Sequence, residues 1–297
     1  MSAAPLSAAT FAAPLLAAIL LLSGASLPAA AQGLPGLGGG PNPVEVNADQ
    51  AIEWHQDVRA YVARGNASAK RNDSTVFADV LTAYYREVPG KGNEVFQLLA
   101  EGNVRIVSPT QEVFGERGVY DVDKQVAVVT GRNLKMVTRT DIVTARDTLE
   151  YYEAKNLTVA RGDAVAVRIA NGDRLRADIL IGQLKKMPDG STQMERIDGA
   201  GSVVVTTATD VALSDKLVYS VADETAVLLG NVKITRNDNQ LNGEAAEMNM
   251  RTKVNRVIAG PATGGRVMGL LVPGQEPGAP GGPSSSAQPG AKPVPKP

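Results

Sequence analysis

The sequence predicts an all-β protein: a long, twisted, mostly antiparallel sheet folded on itself and built from about six repeated hairpins. Three observations predict it. Apolar residues alternate with polar ones at period two, as in Val104-Arg105-Ile106 and Val232-Lys233-Ile234-Thr235, which marks strands with one apolar face. Gly-Asn, Gly-Asp and Asn-Asp pairs punctuate these runs, and such residues suit turns. The runs also repeat, and a single hairpin, marginal in water, must stack on its neighbours to bury its apolar face.

The chain has 297 residues. Residues 1–31 read as a signal peptide: the apolar run FAAPLLAAILLL at residues 11–22 is too short to span a bilayer, and small residues follow up to Ala31. No Lys or Arg precedes that run, a departure from the usual pattern. Residues 32–43, QGLPGLGGGPNP, read as a flexible linker. Its glycines are no phosphate loop, since no strand precedes them and no Lys-Ser/Thr follows. Residues 44–260 hold the strand array, and residues 261–297 form a Pro/Gly-rich tail expected to be disordered.

Within the array, a glycine and a short residue precede each expected strand at Gly65-Asn66, Gly102-Asn103, Gly131-Arg132, Gly162-Asp163, Gly201-Ser202 and Gly230-Asn231. A small residue followed by a charged one comes later each time: Ala78-Asp79, Gly115-Glu116, Ala145-Arg146, Ala177-Asp178, Ser214-Asp215 and Gly243-Glu244. The offsets from glycine to charge are 14, 14, 15, 16, 14 and 14, whereas successive glycines are 37, 29, 31, 39 and 29 apart. An extra half-copy, Val44-Glu45-Val46-Asn47-Ala48-Asp49, precedes the first. Each copy reads as a strand leaving the glycine, a turn, and a return strand through the second cue. The stack has two open sheet ends with unpaired backbone groups.

These motifs, together with Tyr61-Val62-Ala63-Arg64-Gly65-Asn66-Ala67, Leu99-Ala100-Glu101-Gly102-Asn103-Val104-Arg105-Ile106 and Leu229-Gly230-Asn231-Val232-Lys233-Ile234, resemble the OstA-like family, over roughly residues 44–260. That family includes the periplasmic bridge protein of lipopolysaccharide export and the N-terminal part of its outer-membrane partner. The resemblance implies a twisted, trough-like β-jellyroll in which lipopolysaccharide acyl chains lie along an apolar interior. It implies a periplasmic location and end-to-end strand pairing with an inner-membrane-anchored export subunit, with the outer-membrane translocon and with other copies of the chain. It implies no enzyme activity and no cofactor. The first copy departs by carrying Ala67 and Ala69 where others have Val or Ile, and the third by Arg146 where an acid is usual.

The expected lining residues are Val104, Ile106, Leu134, Met136, Val165, Val167, Val203, Val205, Val232 and Ile234. The same alternation also suits the core of a closed sandwich. The expected partner edges are Val44, Glu45, Val46 and Asn47 at one end and Val254, Val257 and Ile258 at the other, where backbone hydrogen bonds would recruit a strand.

Other classes find little support. With 30 basic and 31 acidic side chains the net charge is -1, which gives no general pull toward nucleic acid. There is no cysteine, hence no disulfide or thiolate metal site. The single histidine, His55, beside the single tryptophan, Trp54, reads as structural. Asp238 to Gly243 is a poor calcium loop and a better hairpin turn. Aromatics at 4% are too few for the girdles of a membrane barrel. A β-solenoid polysaccharide lyase or a structural cell-envelope protein are the competing readings. A lyase needs clustered Lys, Arg, Tyr or His, and no such cluster can be assembled here.

Overall fold

The computed structural model describes residues 44–90, 92–188, 192–249, 252, 254–260, 264–270 and 272. The expected signal peptide, the linker and the tail from residue 273 lie outside the described residues. The strands are β1 (Glu45–Asn47), β2 (Ala51–His55), β3 (Ala60–Arg71), β4 (Ser74–Val88), β5 (Gly92–Val107), β6 (Gln111–Asp121), β7 (Val126–Thr130), β8 (Leu134–Thr138) and β9 (Asp141–Ala145). They continue as β10 (Thr148–Tyr152), β11 (Leu157–Arg168), β12 (Arg174–Lys186), β13 (Thr192–Thr206), β14 (Asp210–Ser220), β15 (Thr225–Arg236), β16 (Asn239–Asn249), β17 (Val254–Ile258) and β18 (Met268–Leu270). One 3-10 turn, Glu153–Lys155, is the only helical element among the described residues.

All eighteen strands form one antiparallel sheet, as the alternation predicts. Neighbours in sequence pair in a meander, and short strands lie in tandem along a longer one. β1 and β2 run along β3, β7 and β8 along β6, β9 and β10 along β11, and β17 and β18 along β16. Pairing continues past residue 260, where the tail was expected to begin: β18 places Met268 opposite Asn242 and Leu270 opposite Gln240. A strand there takes up backbone groups of β16 that β17 does not reach.

In five of the six copies the glycine cue does not open a strand but sits in mid-strand, where the register jumps between Arg64 and Ala67, Glu101 and Val104, Arg161 and Ala164, Ala200 and Val203, and Leu229 and Val232; Gly131 lies between β7 and β8. At each jump both inserted residues have positive φ, as at Gly102 (76°) and Asn103 (48°). A bulge of this kind bends the strand and sharpens the twist, and Gly and Asn are the residues that tolerate it. The near-constant offset of 14 to 16 residues therefore measures the path from a bulge to its hairpin turn and back to the facing strand. The longer glycine spacings of 37 and 39 come from the far ends, where the β4–β5 and β12–β13 hairpins extend further than the rest.

Along the row of bulges the sheet folds on itself, bringing two arms together. Val76 and Ala78 pack with Ala100 and Val104, and Val205 and Ala212 pack with Leu217 and Leu228. The inward ladders follow directly from the register. One runs Ala63, Leu81, Ala100, Gly118, Val129, Leu149, Ala160, Leu180, Gly199, Leu217, Leu228, Ala246. Another, on the opposing arm, runs Val46, Ala69, Val76, Ile106, Val113, Met136, Val143, Ala166, Leu175, Val205, Ala212, Ile234.

The bulge also sets which residues face inward, namely those two and four positions after its glycine. After Gly162 these are Ala164 and Ala166, which join the core, so the expectation for Val165 and Val167 was one residue out of phase. Those valines are half-buried on the outer face, and Ile169 is exposed. The second cue has a clear role too. Asp79 lies against Gly102, Asp178 against Gly201 and Asp215 against Gly230, and Asn103 and Asn231 donate to Asp79 and Asp215 at 2.9 and 2.8 Å. In the third copy Asp147, not Arg146, occupies this place against Gly162, so the acid is displaced by one residue rather than missing.

At the middle of the sheet Glu150 is almost buried. It accepts hydrogen bonds from Thr148 Oγ1 (2.7 Å), Arg161 Nε (2.8 Å) and Tyr152 Oη (2.8 Å). Burial pushes its carboxyl up, but these donors outweigh burial and hold it below the usual glutamate range. A lowered carboxylate pKa contributes stability that is present above about pH 4.3 and is lost as pH falls through the folded-state value. Glu150→Gln is therefore expected to lower stability by about 1–3 kcal/mol at neutral pH. In urea melts the gap to the native protein should close in acid; a gap independent of pH would refute this role.

Candidate functional site

Between the two arms of the first half lies a cavity of about 600 Å³. Its walls are mostly apolar and come from strands β1 to β7: Ala63, Leu81, Ala100 and Gly118 on one arm, Ala69, Val76 and Ile106 on the other. Ala63, Ala69, Ala100 and Gly118 carry a methyl group or no side chain at all, so the arms meet without filling the space. Of the first copy's two departures, Ala69 is a wall residue, whereas Ala67 is fully buried and is not among the lining residues. The volume falls in the range of pockets that hold small ligands.

The cavity reaches the first edge of the sheet. Val44, Val46 and Ile52 line it and are also exposed to solvent. Trp54, Tyr61 and Tyr85 cluster beside this mouth. Trp54 stacks on Tyr61 at 5.9 Å, Tyr61 meets Tyr85 at 5.0 Å, and Trp54 Nε1 donates to Tyr85 Oη at 2.7 Å. Rings with an apolar body and a polar tip suit a boundary between greasy and wet surroundings. The long β4–β5 hairpin adds Asn93 and Glu94 to the rim, and Arg71 enters from the turn side.

The far side is shut. Tyr120 and Tyr151 pack with Leu184 and Met194 from the β12–β13 hairpin. Tyr120 Oη donates to Glu153 at 2.9 Å. Burial is the main cause that pushes the Tyr120 phenol above its ordinary value, and it pushes Tyr151 up to about 12. Both rings stay neutral and serve as packing.

Of the ten expected lining residues, Ile106 stands on the cavity wall and Val104 packs behind it. Leu134, Val203, Val205, Val232 and Ile234 belong to a continuous packed core that runs from Val113 to Met248, with Met136 packed against it. Sequence reasoning missed Ala63, Leu81, Leu98, Ala100, Gly118 and Tyr120, because it followed only the runs after each glycine. The Leu98/Ala100 and Gly118/Tyr120 alternation before the cues was the available signal.

Among the described residues both expected edges are the ends of the meander: β1 and β2 pair only with β3, and β17 and β18 only with β16. Glu45 to Asn47 form β1 opposite Lys70 to Ser68, with Val44 just before them. Val254, Val257 and Ile258 lie in β17, and β18 lengthens that edge with the exposed Met268 and Leu270. His55 is hydrogen-bonded to Glu53 at 2.6 Å. Asp238 lies in the β15–β16 hairpin turn, as expected. Among the described residues no group of three His, Cys, Asp or Glu is placed to hold a metal ion, and no helix is long and apolar enough to cross a membrane.

The profile of one protein family, described as LptA/(LptD N-terminal domain) LPS transport protein, matches this chain twice, over residues 45–155 and 143–254. Among solved structures a similar chain is LptH from Pseudomonas aeruginosa, described as the LptA-homologous periplasmic component of the conserved lipopolysaccharide transport device. The two are 16% identical, with a TM-score of 0.38, over 45% of this chain and 95% of that one. No curated protein matches the chain.

Proposed function

Because the chain belongs to the LptA/(LptD N-terminal domain) family of lipopolysaccharide transport proteins, we propose that it is a periplasmic carrier that holds lipopolysaccharide acyl chains in the cavity of its first half. The family is one of transport proteins, which sets aside the polysaccharide lyase. The observation that carries the reading is the apolar cavity opening at the first sheet edge. Each acyl methylene buried there contributes about 0.8 kcal/mol, so several of them bind without any catalytic group. The sugar would remain outside, past the Trp54–Tyr61–Tyr85 cluster.

The two sheet edges are the proposed contact points for an inner-membrane-anchored export subunit, for the outer-membrane translocon, or for another copy. β1 offers Glu45, Val46 and Asn47, with Val44 just before it; β17 offers Val254, Val257 and Ile258, extended by β18. Support comes from their position at the ends of the meander and from the apolar side chains exposed there. The domain reading that accompanies this is a signal peptide at 1–31, a linker at 32–43 and a tail beyond the array.

A photo-crosslinking amino acid at position 106 is expected to give a lipopolysaccharide adduct. The same probe at position 234, where Ile234 is 5% exposed in the packed core, is expected to give none. No adduct at 106, or equal adducts at both, would overturn the assignment of the lipid to this cavity.

A further inference from the structure

The family profile matches the chain twice, and the bend cues show how the two matches superpose. Gly65, Gly102 and Gly131 correspond to Gly162, Gly201 and Gly230, at separations of 97, 99 and 99 residues. The long β4–β5 hairpin then corresponds to the long β12–β13 hairpin. Inward residues can be compared one by one. Leu81 corresponds to Leu180, Ala100 to Gly199, Gly118 to Leu217, Val129 to Leu228, and Ile106 to Val205.

The interiors of the two units differ. In the first, Leu81, Ala100, Gly118 and Ile106 surround open space, and Val129 stands where that space meets the packed core. In the second, their counterparts are closed into solid core, with Leu217 1% and Leu228 0% exposed. Most substitutions between the units are by a single carbon and run in both directions: Ala100 and Ile106 are larger than their counterparts, Val129 is smaller. One pair stands apart, because Gly118 has no side chain where Leu217 carries four carbons.

We infer that the units have unequal tasks: the first is the lipid-holding unit, the second is a closed extension, and the exchange of Gly118 for Leu217 decides which is which. This rests on the reading that the first cavity holds acyl chains. The geometry at Gly118 agrees. A Cβ there would meet Val104 Cγ1 at 3.5 Å and Ala100 Cβ at 3.7 Å, ordinary contacts, and Gly118 is not among the positive-φ glycines. A side chain at this place is accommodated by the backbone and projects into the cavity. The second unit shows that the fold accepts leucine at this place. Filling the first cavity should therefore leave folding intact while removing the binding space.

The test uses dansyl-undecanoic acid as probe, followed by its fluorescence on the full chain. Affinity is expected to fall stepwise through Gly118→Ala, Gly118→Val and Gly118→Leu, with at least a tenfold loss for leucine. The melting temperature of Gly118→Leu should be equal to or above that of the native protein. Ala100→Leu, entering the same space from the neighbouring strand, should lose binding as well and guards against a folding defect at one position. Native protein that binds the probe, with both leucine variants folded and binding equally well, would overturn the inference alone. Native protein that takes up no probe and gives no lipopolysaccharide adduct at position 106 would overturn the reading beneath it.

Discussion

Replacing Gly102 by valine is expected to destabilise the protein by about 2–5 kcal/mol. Two effects combine. Gly102 sits at φ 76°, and placing an L-residue in that region costs about 1–2 kcal/mol. A Cβ at Gly102 would also overlap the Asp79 carboxylate, and forced overpacking costs about 1–3 kcal/mol more. A domain stable by only about 5–15 kcal/mol would lose a large share of its margin. The parts can be separated. Gly102→Asn should cost less than valine, because Asn tolerates left-handed φ. Gly102→Ala combined with Asp79→Gly should recover the overlap but not the backbone strain. Urea denaturation measures all three variants; a loss below about 1 kcal/mol for valine would show that the bulge is not a fixed bend.

The second large effect belongs to the packed half. Leu228→Ala is expected to cost about 2–5 kcal/mol, the range for a leucine deleted from a tight core, since Leu228 is fully buried between Leu217 and Ala246 on its ladder. Leu81→Ala should cost clearly less. Leu81 borders the cavity, so its removal enlarges an existing space rather than opening a new one, and part of its surface already lacks partners. Thermal or urea melts of the two variants give the comparison. Equal losses would mean that the first half is as tightly filled as the second.

The strand content and the repeated hairpins were legible in the sequence. Val104, Val203, Val205, Val232 and Ile234 were correctly read as inward because there the strong β-formers are also the residues two and four places after the bulge glycine. The reading failed after Gly162, where those two criteria part. Val165 and Val167 are the stronger β-formers, and composition alone favours them over Ala164 and Ala166. A two-residue insertion with positive φ resets the phase at Gly162, and the inward face goes to the alanines. The carboxylate at Asp147 was hidden by the same kind of shift, since Arg146 stands where the offset pointed.

What the residue order determined on its own is the repeat: turn-forming pairs and alternating apolar residues are local properties, and each hairpin carries its own copy. What only the tertiary structure decided is where the repeat leaves room. Whether facing ladders interlock or stand apart depends on side chains more than a dozen residues distant in the chain, brought together by the bend. Neither a glycine at 118 nor a leucine at 217 reveals, from its neighbours in sequence, what it will face across the fold. Packing across the fold turns the first into part of a cavity wall and the second into core, because dispersion and burial act on contacts between arms and not on neighbours in sequence.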